Sequence, residues 1–343
     1  MATRARPRAS PKVIDIRMPK SLLLAALVGL ALVIALIAYY GASSVFDAVT
    51  AVGWGAALVA LVRAGETSGA GLAWWFVVPG AAGPLVRICM MLRWLREAIN
   101  SLLPVAQVGG DLIGARLLTF WGVPGGAAGA SVVVDLFVQT VTQFFFTLIG
   151  LACLIQAGGD TGIVRAAAIG LAILGPALIG FFVAQRFGGF RFVEQAMLRL
   201  AKDPKWASLG GISSLNDRLQ EIYRHPLGLA ICFAIHFAIW FFGVLEVYTA
   251  LHFMGYPVDY RTALVIESLG QAVRGAAFVV PGAIGVQEGG FIALCAVFGI
   301  PAPTAIALSL VKRLPEIALG IPGLMIWQGI EGRQLLRATR NSP

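Results

Sequence analysis

The residues that could do chemistry in this chain are charges set inside apolar stretches. Asp111 and Glu288 each follow a proline by seven residues and lie beside paired glycines. Asp135, Gln139 and Gln143 are spaced by four, which places them on one face of a helix. Lys312 and Glu316 share that spacing, with Arg313 beside them and Pro315 placed to kink the helix. Arg96, Glu97, Asn100, Arg116, Glu267 and Arg274 flank these groups. A charge at bilayer depth costs at least about 2.5–3.5 kcal/mol. The macrodipole at a helix N-terminus returns only about 0.3–1 kcal/mol to an acid. Capping alone therefore does not account for Asp111 and Glu288, and a polar cavity around them is expected. Two chemistries stay open. The charges can neutralise one another, Asp135 pairing with Lys312 or Arg313 to join the halves of the chain. Alternatively they line a substrate path, where arginine suits a phosphate or other polar headgroup and a carboxylate such as Asp111 or Glu288 carries a proton.

Composition says what surrounds them. The 343 residues are 58% hydrophobic and only 13% charged, with a mean hydropathy of +0.84. A soluble domain carries roughly 25% charged residues, so lipid must solvate the outside. The net charge of +9 does not indicate nucleic acid, because the bases sit in flanks and loops. Cys89, Cys153, Cys232 and Cys295 are unpaired in spacing and read as small apolar residues. His225, His236 and His252 form no ligand motif, so neither a metal nor another cofactor is expected.

Six stretches are long enough to cross a bilayer, near 20–40, 54–78, 127–154, 163–184, 226–251 and 304–328. The first exceeds a signal-peptide core and reads as a retained anchor. Basic clusters at 4–20, 87–96, 185–225 and 333–340 are assigned to the cytoplasm. Both termini then lie inside, in a bacterial inner membrane. The organisation is a basic tail over 1–19, one transmembrane domain over 20–330 and a second tail over 331–343. Between Lys202 and Trp206 a surface-lying helix and a solvated loop are both open. Arg63 and Glu66 are expected to pair. Glu246 and His236 receive no partner, and the tryptophans, including Trp74, Trp94 and Trp240, read as interface belts.

Residues 96–122 and 262–299 fit no simple span. From Pro104, an acid follows at seven residues (Asp111), a glycine at eighteen (Gly122) and a proline at twenty (Pro124). From Pro281 the same offsets reach Glu288, Gly299 and Pro301, and Asp135 then matches Lys312. The expectation is an all-α polytopic membrane protein with an inverted repeat, about 20–155 and 163–330. It holds six spans and two re-entrant hairpins with tips at Pro104, Gly109 and Gly110, and at Pro281, Gly282 and Gly285. Arms of about 10–12 residues would reach half the bilayer. Broken helices meeting near the midplane are a transporter architecture. The alternative is that 262–280 spans fully, which breaks the symmetry.

The runs Arg96-Glu97-Ala98-Ile99-Asn100-Ser101-Leu102-Leu103-Pro104-Val105-Ala106-Gln107-Val108-Gly109-Gly110 and Pro281-Gly282-Ala283-Ile284-Gly285-Val286-Gln287-Glu288-Gly289-Gly290 resemble the flippase-like membrane family. That family includes the transmembrane domain of lysylphosphatidylglycerol synthetases, and the likeness is nearest to the hopanoid-associated HpnL group. The resemblance covers about residues 20–330. It implies a lipid translocase-like role, with a hopanoid or phospholipid as partner and lipid-biosynthesis or export proteins as further partners. It does not imply aminoacyl transfer, because no cytoplasmic stretch is long enough for a synthase domain. No GxxxxGK[ST] motif is present, so movement would be downhill, ion-coupled or partner-driven. An intramembrane lipid-modifying enzyme and a scaffold for lipid synthesis are the alternatives. No nucleophile–base set favours the former.

Overall fold

The structure is a computed structural model. It describes residues 33–81, 85–103, 109–158, 161–187, 215–277 and 280–340, with Leu27, Ala31 and Gly83. Among these every regular element is helical, as the uninterrupted apolar stretches require. The helices are α1 (Val33–Tyr40), α2 (Ala42–Ala51), α3 (Gly55–Trp75), α4 (Leu85–Leu102), α5 (Gly109–Leu118) and α6 (Gly125–Gln156). They continue with α7 (Thr161–Arg186), α8 (Leu215–Tyr223), α9 (Pro226–Phe253), α10 (Tyr260–Ala276), α11 (Val286–Val297) and α12 (Ala302–Arg340).

Three helices, α6, α7 and α9, are long and apolar enough to cross a membrane by length and composition alone. On α7 the apolar character extends all round, with Ile169, Ile173, Ile179 and Val183 exposed. A helix apolar on every face and unburied by protein needs lipid around it. The chain is a multi-pass membrane protein. The remaining long helices, α3 and α12, carry the charges described below, which lowers their hydropathy.

Within the first stretch α1 is described from Val33, and it turns 97° into α2 just past the stretch's end. Helix α12 contains Pro315 and Pro322 within its length. Between Arg186 and Leu215 the surface-helix expectation at 202–206 lies outside the described residues. The nearby α8 is amphipathic, and it buries Asn216, Leu219 and Ile222 inside the protein, packed on α6 and α7.

Helix directions follow from side-chain neighbours. Asp135 meets His236, Thr142 meets Trp240, and Phe146 meets Phe241, so α6 and α9 run parallel. Gly55 lies against Phe253 and Gly69 against Ile239, so α3 and α9 run antiparallel. Both relations agree with the alternation expected from the basic loops.

Two helix pairs fold back on themselves. Gly110 packs on Arg96 and Asn100, and Gly114 on Arg96, which makes α4 and α5 an antiparallel hairpin. Gly290 packs on Val273 and Gly270 on Phe291, which does the same for α10 and α11. Helix α4 starts at the end where α3 finishes, and α10 starts where α9 finishes. Because α3 and α9 are antiparallel, the hairpins enter from opposite ends of the bundle. The second arms have the expected length, 10 residues for α5 and 12 for α11. The first arms are longer, 18 residues for α4 and 17 for α10. At the second tip Gly282 and Gly285 have φ of 61° and 85°, backbone that favours glycine and lets the chain reverse. Pro104, at the first tip, lies outside the described residues.

Candidate functional site

The hairpins and the helices beside them bring most of the charged residues together. Asp135 and Lys312 are the hubs, each ten residues into its helix, a rise of about 15 Å. Asp135 is fully buried, and its Oδ2 accepts from Arg93 Nη1 and Arg96 Nη1, both at 3.0 Å. Its Oδ1 lies 2.9 Å from His236 Nε2. Arg96 also reaches Asp111 Oδ1 through Nε at 2.7 Å and Nη2 at 2.6 Å. Its guanidinium stacks over the Trp74 ring, 4.7 Å from the centroid. Asn100 donates to Asp111 Oδ2 at 3.1 Å and accepts from the Gly110 amide at 2.8 Å. This contact ties the first arm to the start of the second. A Cβ at Gly110 would lie 2.3 Å from the Arg96 carbonyl, so only glycine allows the two arms to approach this closely.

Lys312 is the counterpart with reversed sign. Its Nζ donates to Glu246 Oε2 at 2.6 Å and to Glu267 Oε2 at 2.7 Å. Gln271 donates to the other oxygen of Glu267 at 2.8 Å. Arg63 on α3 contacts Glu246 Oε1 at 3.2 Å and Glu66 Oε2 at 3.1 Å. Arg274 holds Glu316. At the second tip Glu288 accepts from the Gly285 amide at 2.7 Å, from Ser309 at 2.9 Å, and from Arg313 Nη2 and Nε at 2.9 and 3.0 Å. Arg313 donates further to the Gly282 carbonyl at 3.0 Å. Glu288 thus caps α11 and binds a cation at once.

Between the networks is a cavity of about 260 Å³. Arg63, Glu66, Arg93, Glu97, Arg274 and Glu316 bring charge to its wall. Uncharged hydrogen-bonding groups, among them Asn100, Gln139, Gln143 and Gln271, fill the spaces between. Glu97 is the most open of these carboxylates, its side chain 47% exposed, and it accepts from Arg93 Nη2 at 2.9 Å. Gln139 accepts from the same nitrogen at 2.9 Å. The wall offers both signs of charge and many neutral donors and acceptors.

The model of the lysylphosphatidylglycerol synthase transmembrane region matches residues 22–322. The chain belongs to that family. No curated protein and no solved structure matches it. The family places the chain in membrane lipid biology.

In this family member several sequence expectations are redrawn. Asp135 pairs with neither Lys312 nor Arg313; each hub has its own counter-ions. Arg93 and Arg96, assigned to a cytoplasmic basic cluster, are 4% and 1% exposed, and only Arg87 of that cluster is exposed. Trp74 is buried beneath Arg96, Trp94 donates to the Leu319 carbonyl at 2.8 Å, and Trp240 lines the cavity. All three are turned into the protein. Arg63 and Glu66 pair as expected. Arg116 is not brought to the cavity; it pairs with Glu331 of α12 at 3.0 Å. Glu288, Lys312 and Arg313 stand behind the cavity wall. Arg93 was missed for the site although it precedes Arg96 and Asn100 at intervals of three and seven, and Arg63 and Glu66 were expected only to pair with each other. For His236, Glu246 and Ser309 no sequence signal was present.

Asp135, Cys232 and His236 also bring metal-ligand atoms within 4.8 Å of one another, all buried. Two guanidiniums already hold this aspartate, and a divalent cation placed there would be repelled by both. The donor set therefore fits the ion-pair network and does not fit a metal.

Proposed function

We propose that this protein moves a polar-headed lipid between the leaflets of the cell membrane, with the headgroup in the cavity and the tails in the bilayer. One observation carries the reading: a polar cavity of about 260 Å³ bounded by the two oppositely entering hairpins, inside a molecule with an apolar exterior. Whole small-molecule sites are roughly 300–1,000 Å³. A smaller, charged cavity suits a headgroup whose tails stay outside. A transporter built from inverted broken helices places its site where such segments meet, and two helix hairpins that enter the bundle from opposite ends support that reading here. The hopanoid link implied by the sequence resemblance fits as well, because a polyol headgroup would bond Asn100, Gln139, Gln143 and Gln271. The reading makes the protein a carrier and not an enzyme. Most cavity carboxylates are held by a cation, which favours holding a headgroup over acid–base work. It also keeps the orientation expected from the basic loops, with both termini cytoplasmic.

The test uses the purified full chain in vesicles, with fluorescent phosphatidylglycerol, phosphatidylethanolamine and hopanoid-polyol probes. Gly275 lines the cavity with its open side toward the Gln143 amide. Gly275→Phe should fill the cavity and lower probe movement to the protein-free rate, with unfolding in detergent unchanged. Wild-type vesicles that move none of the probes faster than protein-free vesicles would refute the reading.

A further inference from the structure

The cavity wall nearest α3 and the layer of side chains behind it hold more carboxylates than cations. Arg63, Lys312 and Arg274 face Glu66, Glu246, Glu267 and Glu316, three cations to four acids. No side chain of this group is more than 21% exposed. An uncompensated buried charge is costly enough that the group neutralises instead, and two carboxyls sharing one site do so by keeping a proton between them.

Geometry identifies the pair. Lys312 bonds both Glu246 and Glu267, and Arg274 holds Glu316. Arg63 is divided between Glu66 and Glu246 at 3.1 and 3.2 Å. Neither of the contacted oxygens, Glu66 Oε2 and Glu246 Oε1, completes a hydrogen bond, although both are buried. Both carboxyls thus meet the one guanidinium of Arg63, Glu66 at Nη1 and Glu246 at Nε. Glu66 lines the cavity and Glu246 is fully buried behind it. Gly243 of α9 makes room for this arrangement, since a Cβ there would lie 2.0 Å from Glu66 Oε1. The other titratable groups around the pair are Glu97 and Arg93 of α4, Asp135 of α6 and His236 of α9. Arg93 is shared between Glu97 and Asp135, and His236 is bonded to Asp135. Asp111 and Glu288 offer no comparable vacancy, each being held by a guanidinium and by neutral donors.

We propose that Glu66 and Glu246 form a proton-binding site at the cavity wall, and that its proton is the co-substrate of transport. The inference rests on the lipid reading for its coupling, and on the carboxyl pair alone for its site. Proton loss leaves the wall with an extra negative charge and proton uptake removes it, so the headgroup affinity of the cavity follows the proton.

Two measurements test this on the full chain. In infrared spectra of the detergent-solubilised protein at neutral pH, a protonated-carboxyl C=O band should be present. It should be absent in Glu66→Gln and restored in Glu66→Asp; absence of the band in the wild type overturns the site. In vesicles with the membrane potential clamped, a gradient of one pH unit should drive the fluorescent phosphatidylglycerol probe to an unequal distribution. The limit is about tenfold at one proton per lipid. Glu66→Gln should give equal leaflets whatever its residual rate. Equal leaflets in a wild type that still moves the probe overturn the coupling and leave the lipid reading intact. An intact band with no probe movement overturns the lipid reading and its coupling, and leaves the proton site standing.

Discussion

If Asp135 and Lys312 anchor separate networks, neutralising both should cost the sum of neutralising each. Asp135 is fully buried and accepts from two guanidiniums. Lys312 is 2% exposed and donates to two carboxylates. Removing one partner of a buried ion pair costs about 3–5 kcal/mol, chiefly because the remaining charge is left without compensation. Asp135→Asn leaves Arg93 with Glu97 and Arg96 with Asp111, so about 3 kcal/mol is expected. Lys312→Met leaves Glu246 with part of Arg63 and Glu267 with Gln271 alone, so about 5 kcal/mol is expected by the same range. The two hubs share no partner, and such sites add to within about 0.5 kcal/mol. A double variant near 8 kcal/mol approaches the whole stability of many proteins. The measurement is therefore a double-mutant cycle by reversible unfolding in graded detergent, at the mildest denaturing condition that all four proteins tolerate. The charge exchange Asp135→Lys with Lys312→Asp is the companion experiment. It should not recover, since each new charge sits among like charges. A coupling energy above about 1 kcal/mol, or recovery on exchange, would refute the separation and restore a direct pair joining the halves.

Two further outcomes follow from single contacts. Gly110→Ala should separate the arms of the first hairpin, because its Cβ would lie 2.3 Å from backbone oxygen; a loss of about 1–3 kcal/mol by the same unfolding measurement is expected, and no loss would show that the arms can part freely. Asp259, outside the membrane-spanning segments, accepts from the Thr262 amide at 2.9 Å and caps α10, and this bond holds its carboxyl below the usual carboxylate range. A lowered acid stabilises the fold above its unfolded value and loses that contribution as pH falls through the folded one. Asp259→Ala should therefore cost about 1 kcal/mol at neutral pH and little in strong acid, and a pH-independent cost would refute the cap.

The helical, membrane-embedded character was legible because apolar residues dominate whole stretches and spacing alone reports it. The two hairpins were legible for a different reason. Pro104 and Pro281 start the same set of offsets, and at the second tip the chain reverses on Gly282 and Gly285, as the glycines there imply. The matched positions of Asp135 and Lys312 could be read in the same way. Their partners could not. Arg93 was read as a loop charge, and only its turn of α4 shows that it faces Asp135. His236 and Glu246 are single charges in an apolar helix, and nothing in local spacing says which neighbour each meets. Pairing across helices depends on their relative rotation, which no periodicity within one helix encodes. The length of the first arms was misjudged for a related reason. Arg93 and Arg96 look like the end of a membrane segment until their counter-ions are seen.

The partners also explain how two halves with opposite charge patterns hold together without a direct bond between hubs. The Asp135 hub lies in the first half and takes its third contact from His236 of the second. The Lys312–Glu246 hub lies in the second half and takes Arg63 from the first. The first half thus lends Arg63 and Glu66 of α3, and the second lends His236 of α9, which runs antiparallel to it. Those two helices are packed through small residues, with Gly55, Gly65 and Gly69 of α3 facing Phe253, Phe242 and Ile239 of α9. Such a seam brings the backbones close and spares polar groups from lipid. A rocking of one half against the other would have to disturb the His236 and Arg63 contacts, while leaving Arg96–Asp135 and Lys312–Glu267 intact inside their own halves. Other contacts cross as well, Arg116–Glu331 away from the cavity among them, but Arg63 and His236 are charged or titratable groups on its wall, so a ligand or a proton there acts on bonds that tie the halves together.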